Sequence, residues 1–118
     1  MTRVAAVDCG TNSIRLLIHD SEAGEICREM SIVRLGEGVD ATGRFNPDAI
    51  ARTRDALAAY VERMEAEGVE AVRMVATSAT RDAANREEFF GMTRELLGRI
   101  QPGASAEVIS GEEEAALS

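Results

Sequence analysis

Val4-Ala5-Ala6-Val7-Asp8-Cys9-Gly10-Thr11-Asn12-Ser13-Ile14-Arg15-Leu16-Leu17-Ile18 reads as a strand, a tight polar turn and a second strand, because two apolar runs are separated by small and hydrogen-bonding residues. A carboxylate closes the first strand and faces that turn. Consecutive backbone N–H groups of such a turn can converge on an anion, and phosphate on a metal ion is the natural ligand. Gly10 lets backbone approach a ligand closely, Thr11, Asn12 and Ser13 can add side-chain donors, and Asp8 can hold a divalent cation or orient water. The same residues equally describe an ordinary hairpin turn closed by an Asx-type bond from Asp8 or Asn12.

Composition narrows the classes. A chain of 118 residues makes one domain, and with 45% hydrophobic but only 3% aromatic residues its core must be built from Val, Ile, Leu, Ala and Met. Neither a bilayer-length apolar stretch nor a basic-then-apolar leader is present, so a cytoplasmic protein without membrane partners is expected. Cys9 and Cys27 stand in no metal or redox spacing and read as reduced strand residues. The net charge of −8 argues against non-specific binding to nucleic acid or lipid, both of which need a positive field. All 13 basic residues are arginines, and the missing lysine excludes a Walker-type phosphate loop and Schiff-base chemistry within this chain.

Periodicity and punctuation predict strands over 3–7, 13–19 and 25–35, the last two joined by a turn at Ser21-Glu22-Ala23-Gly24. A long loop follows, from Gly36 to Gly43. Asn46-Pro47 then caps a helix whose inner face carries Ile50, Leu57, Val61 and Met64, and Gly68 ends it. Residues 71–76 form a short buried strand. Asn85 starts a second helix with Glu88 as its capping-box partner, Phe89, Met92 or Thr93, Leu96 and Ile100 inside, and Pro102-Gly103 as the stop. Residues 106–109 make a fifth strand, and Ser110 opens a helix. There is no internal repeat, low-complexity tract or linker.

Three segments in this order carry a resemblance. Val7-Asp8-Cys9-Gly10-Thr11-Asn12-Ser13-Ile14-Arg15, Val75-Ala76-Thr77-Ser78-Ala79-Thr80-Arg81-Asp82-Ala83 and Glu107-Val108-Ile109-Ser110-Gly111-Glu112-Glu113-Glu114-Ala115 resemble the first phosphate-binding hairpin, the Thr/Ser-rich turn with its arginine, and the I-S-G-x-E-E-A segment of the exopolyphosphatase and guanosine pentaphosphate phosphohydrolase family (Ppx/GppA), a branch of the actin-like, sugar-kinase and Hsp70 superfamily. The resemblance implies an α/β fold: one ribonuclease-H-like lobe, βββαβαβα, with a mixed five-stranded sheet flanked by helices. Sites in such sheets form beyond strand ends, where all three segments fall.

The glutamates also have a plain structural reading. Ser110-x-x-Glu113 is a capping box, and Glu112 and Glu114 suit the positive end of a helix dipole. At roughly 100° per residue the three side chains diverge, so at most two can face the strand ends. The resemblance assigns the general base to Glu114. Arg81 could pair at the surface with Asp82 or Glu87 for little gain, whereas its place beside Thr77, Ser78 and Thr80 favours phosphate. Arg15 and Arg34 are the other arginines nearest the motifs. His19, the one histidine, reads as a surface residue.

What the resemblance implies for activity is release of terminal orthophosphate from inorganic polyphosphate. Gly10, Thr11, Asn12, Ser13 and Arg81 would bind phosphate, Asp8 and Glu114 would hold Mg²⁺ or another divalent cation, and Glu114 would activate water. Guanosine pentaphosphate is the alternative substrate, and a non-catalytic phosphate- or nucleotide-binding module the alternative class. The family's second loop, of D-x-G-G-G-S type, is absent from these residues, so residues 1–118 are expected to be an N-terminal lobe whose partner is a second lobe of the same protein, an arrangement compatible with a homodimer.

Overall fold

The computed structural model describes residues 2–36, 42–76 and 83–108. Strands β1 (Arg3–Cys9), β2 (Ser13–Asp20) and β3 (Gly24–Ile32) form an antiparallel meander, and β4 (Ala71–Ala76) and β5 (Ala106–Val108) add to it in parallel, giving the order β3-β2-β1-β4-β5. This is the mixed five-stranded sheet that the resemblance implies. Alternation along β1 buries Ala5, Val7 and Cys9 and leaves Val4, Ala6 and Asp8 exposed, as a strand covered on one face must. An irregularity in the β2–β3 pairing falls between Ile18 and His19, where Ile18 faces Cys27 and His19 faces Glu25. The extra residue, Ile26, bulges and lies partly buried against the core beside Cys27.

Helix α1 (Pro47–Glu67) has local start and stop signals that work as predicted. The Asn46 side chain accepts from the Asp48 N–H at 2.8 Å, and Pro47 occupies the first turn, where a missing N–H leaves nothing unpaired. Gly68 closes the helix at φ 72°, its N–H donating to Glu65 O while that of Val69 donates to Met64 O, the paired closure of a Schellman motif. Leu57, Val61 and Met64 are fully buried, together with Ala49, Thr53 and Tyr60, while Ile50 is half-buried.

Helix α2 (Arg86–Leu97) departs from expectation at both ends. Asn85 makes no capping bond, so the capping box with Glu88 does not form. Its amide instead accepts from Phe45 N–H at 2.8 Å and donates to Phe45 O at 3.1 Å, which satisfies two backbone groups of the segment entering α1 where a cap would satisfy one. The helix stops at Gly98 rather than at Pro102-Gly103, and short turns carry the chain onward. Phe89, Met92, Thr93 and Leu97 are buried, whereas Leu96 and Ile100 are only half-buried. The rotation follows from docking on β5, where Thr93 Oγ1 accepts from Ala106 N–H at 3.2 Å and donates to Phe90 O. Both described helices lie on the same face of the sheet. The fifth strand is described to Val108; Ile109 and the helix expected from Ser110 lie outside the described residues.

Two clusters fix the sheet margins. At the far end from the polar turn, buried Asp20 accepts from the N–H groups of Glu22 and Ala23 and from Arg3 Nε, and Arg3 also reaches Glu67 O. Nearer the turn, the buried Tyr60 hydroxyl donates to Ile14 O at 3.0 Å and meets Ser31 Oγ at 2.9 Å.

Candidate functional site

The turn predicted at Gly10 to Ser13 is present. Cys9 faces Ile14, and Gly10 N–H donates to Ser13 O at 2.8 Å, leaving Thr11 and Asn12 as a two-residue tip. The Asx-type closure of the alternative reading does not occur. The side chains of Asp8 and Asn12 make no hydrogen bond to a described residue, and both residues are exposed.

What shapes the tip is the segment after β3. Val33 N–H and Arg34 N–H both donate to Asn12 O at 2.9 Å, and Gly36 N–H donates to Thr11 O at 2.9 Å. In a planar trans peptide the N–H lies opposite the C=O. With these two carbonyls drawn toward residues 33–36, the N–H groups of Asn12 and Ser13 face the other way. The hairpin therefore presents these N–H groups on the side away from its support, while the Thr11 methyl lies against Gly36.

The support departs from the sequence reading, which extends the third strand to Leu35. The strand ends at Ile32 because Arg34 adopts φ 51°, a left-handed conformation incompatible with an extended run. Arg52 of α1 fixes the start of this segment, its Nε donating to Val33 O at 2.9 Å.

Asp8 sits beside the turn on the sheet face opposite the two described helices, across from Arg15 on β2 and Val75 on β4. Asp8 and Arg15 are exposed and make no ion pair with each other. A shallow depression of about 640 Å³ on this face is lined by Asp8, Arg15, Arg28, Met30, Arg73 and Val75, but its lining stops short of Gly10 to Ser13. Arg28 and Arg73 are paired with Glu25 and Glu107, so two of its three arginines are already neutralised. The depression thus lies on the sheet face and does not include the turn.

Parallel pairing aligns the ends of three strands. Cys9 faces Ala76 on β4, and Ala76 faces Val108 on β5, so the second and third motifs leave the sheet from the edge that bears the turn. Thr77, Ser78, Thr80, Arg81 and the glutamates 112–114, Glu114 included, lie outside the described residues. Among the described residues no three His, Cys, Asp or Glu side chains gather as a metal site, and Asp8 stands as a single carboxylate. His19 is exposed on β2, remote from the turn, as expected of a surface residue.

Both cysteines are free and buried. Burial, and secondarily the charge of Asp8, pushes the Cys9 thiol up to about 12, which leaves it inert beside the turn. No helix among the described residues is long and apolar enough to cross a membrane.

Residues 17–118 match the family model described as the Ppx/GppA phosphatase family. Exopolyphosphatase 2 of Mycobacterium tuberculosis is 61% identical over 125 aligned residues, which cover 100% of this chain and 39% of that protein. A crystal structure of the Aquifex aeolicus Ppx/GppA phosphatase superposes with a TM-score of 0.86 at 34% identity, over 97% of this chain and 37% of the other. A structure of an exopolyphosphatase from Cytophaga hutchinsonii superposes with a TM-score of 0.81 at 28% identity, over 98% and 36% of the two chains. The chain thus spans less than two-fifths of the length of these relatives, and it matches their actin-like lobe.

Proposed function

Because the chain belongs to the Ppx/GppA phosphatase family, we propose that it forms one wall of a cleft in which terminal orthophosphate is released from inorganic polyphosphate by water. The observation that carries this reading is the orientation of the hairpin peptides: Gly36, Val33 and Arg34 hold the carbonyls of Thr11 and Asn12, so the N–H groups of Asn12 and Ser13 point away from that segment. Fixed donors of this kind stabilise charge on a phosphoryl group without reorganising during the reaction.

In this reading Gly10 to Ser13 hold the terminal phosphate, and the Arg81 guanidinium binds two of its oxygens. Asp8, an exposed carboxylate with no partner among the described residues, fits as a ligand for Mg²⁺, directly or through water, with Glu114 as the second carboxylate. When bound, the ion would neutralise phosphate charge. Glu114 takes the proton of the attacking water as its oxygen bonds to the terminal phosphorus, and the bond to the bridging oxygen breaks. A second lobe of the same protein supplies the opposite wall, and the cytoplasm is the proposed location.

The test is phosphate release measured side by side on polyphosphate and on guanosine pentaphosphate, using the polypeptide extended to the length of its relatives. Polyphosphate should be the faster substrate, and the 118-residue chain alone should be far slower than the longer polypeptide. Glu114→Gln should lower turnover by roughly 10²–10⁴ with little effect on affinity, because it removes the base and little else. Glu113→Gln should be mild, since glutamine still completes a capping box. Undiminished turnover in Glu114→Gln would remove the proposed base, and faster release from guanosine pentaphosphate would replace the substrate.

A further inference from the structure

The segment that supports the hairpin contains a glycine whose role is spatial. Gly36 has no left-handed φ, unlike Gly24, Gly43, Gly68 and Gly103, so its backbone conformation is open to any residue. A Cβ at this position would nevertheless overlap Thr11 Cγ2, and it would lie 3.5 Å from Thr11 O and 3.6 Å from Thr11 Cβ, both ordinary contacts. The conflict is thus confined to one methyl group of one turn residue. Gly36 also donates its N–H to Thr11 O, the bond that turns the following peptide outward.

We propose that Gly36 is a positioning residue for the phosphate-binding turn: the absence of a side chain at 36 sets the rotamer of Thr11, and its N–H sets the orientation of the Thr11–Asn12 peptide. The role of the turn rests on the polyphosphatase reading; the mechanical coupling of residues 36 and 11 does not. A methyl group at 36 leaves Thr11 two responses. Rotation about χ1 moves Cγ2 away but redirects the hydroxyl, because both substituents sit on the same β-carbon. Alternatively, residues 33–36 retreat and loosen the bonds to Thr11 O and Asn12 O. Thr11 is exposed, so rotation leaves the core packing untouched. The signature is lost substrate binding without lost stability.

A double-mutant cycle with Thr11→Ser tests this, since serine keeps the hydroxyl and lacks the methyl that collides. In the polypeptide extended to its relatives' length, Gly36→Ala should raise KM for polyphosphate by about ten- to a hundredfold, the worth of one hydrogen bond to a charged group, with a smaller change in kcat and Tm within about 2 °C. Measured against Thr11→Ser alone, the same substitution should raise KM by less than about threefold. Equal penalties in both backgrounds, or no penalty in either, would overturn the proposal. Amide spectra of the 118-residue chain keep the two readings apart. Gly36→Ala should shift the Gly10 to Ser13 resonances, and Thr11→Ser should cancel most of that shift. If the longer polypeptide hydrolyses no polyphosphate but the resonances follow this pattern, the substrate assignment fails and the coupling stands; resonances that do not respond refute the coupling.

Discussion

Removing the Tyr60 hydroxyl asks how strongly α1 secures the strand that leaves the turn. That hydroxyl has a single proton, which goes to Ile14 O at 3.0 Å, so Ser31 must be the donor in the 2.9 Å contact between Ser31 Oγ and Tyr60 Oη. Tyr60→Phe therefore strips a buried carbonyl of its side-chain donor and leaves the ring packing unchanged. Ser31 loses only an acceptor at a half-buried site that water can reach. An unmade buried bond costs about 1–2 kcal/mol. With an unfolding entropy of about 2.1 cal/mol/K per residue, hence about 0.25 kcal/mol/K for a chain of this length, Tyr60→Phe should lower Tm by about 4–8 °C. Ser31→Ala should lower it by less than about 2 °C, because Tyr60 keeps its bond to Ile14. Thermal and urea unfolding followed by circular dichroism measure both. A Tm for Tyr60→Phe within about 1 °C of the parent, or a larger loss for Ser31→Ala than for Tyr60→Phe, would refute the assignment of the strong bond to Ile14.

Asp20 should make the fold acid-sensitive: the N–H of Ala23, then Arg3, then the N–H of Glu22 hold its carboxyl well below the usual range, so its stabilisation is complete above the unfolded-state value near 4 and is lost as pH falls toward the folded-state value. Tm should accordingly fall between about pH 4 and pH 2, and Asp20→Asn should flatten that slope; parallel slopes would contradict it. Burial also raises the Cys27 thiol, so neither cysteine should react with a disulfide reagent at pH 8 in the folded chain, and both should react in denaturant. Asn46→Ala should cost about 1 kcal/mol through the lost cap, whereas Asn85→Ala should loosen the chain at Phe45 and leave α2 helical content intact, a contrast that hydrogen exchange at the Phe45 amide would reveal.

The features legible in the sequence are those written locally. Asn46-Pro47 and Gly68 bracket α1 with little help from the rest of the molecule, and the apolar runs on either side of the polar turn mark β1 and β2 as strands. The turn residues Asp8 to Ser13 were readable because they are contiguous. Where the reading departs, a distant partner wins. Nothing marks Arg34 for a left-handed conformation; the carbonyl of Asn12, more than twenty residues earlier, captures two successive N–H groups there. Asn85 looks like a cap and serves Phe45 instead. Gly36 reads as one loop glycine among several, and only the position of Thr11 separates it from the rest. Arg81 and Glu114 are assigned by resemblance and lie outside the described residues.

The inward-turned carbonyls of Thr11 and Asn12 also bear on solution conditions. Peptide N–H groups carry their partial charge at every pH at which the protein is folded, and no side-chain replacement removes it. If the turn binds phosphate as proposed, its own contribution would therefore not vary with pH. With a net charge of −8 the lobe as a whole repels a polyanion, and the attraction proposed for the turn would act only at contact. Salt screens the long-range term beyond about 10 Å at 0.1 M but weakens contacts at hydrogen-bond distance far less. If this surface receives a phosphate chain as proposed, moderate ionic strength should help the approach, the reverse of what holds for proteins that draw polyanions with a basic face.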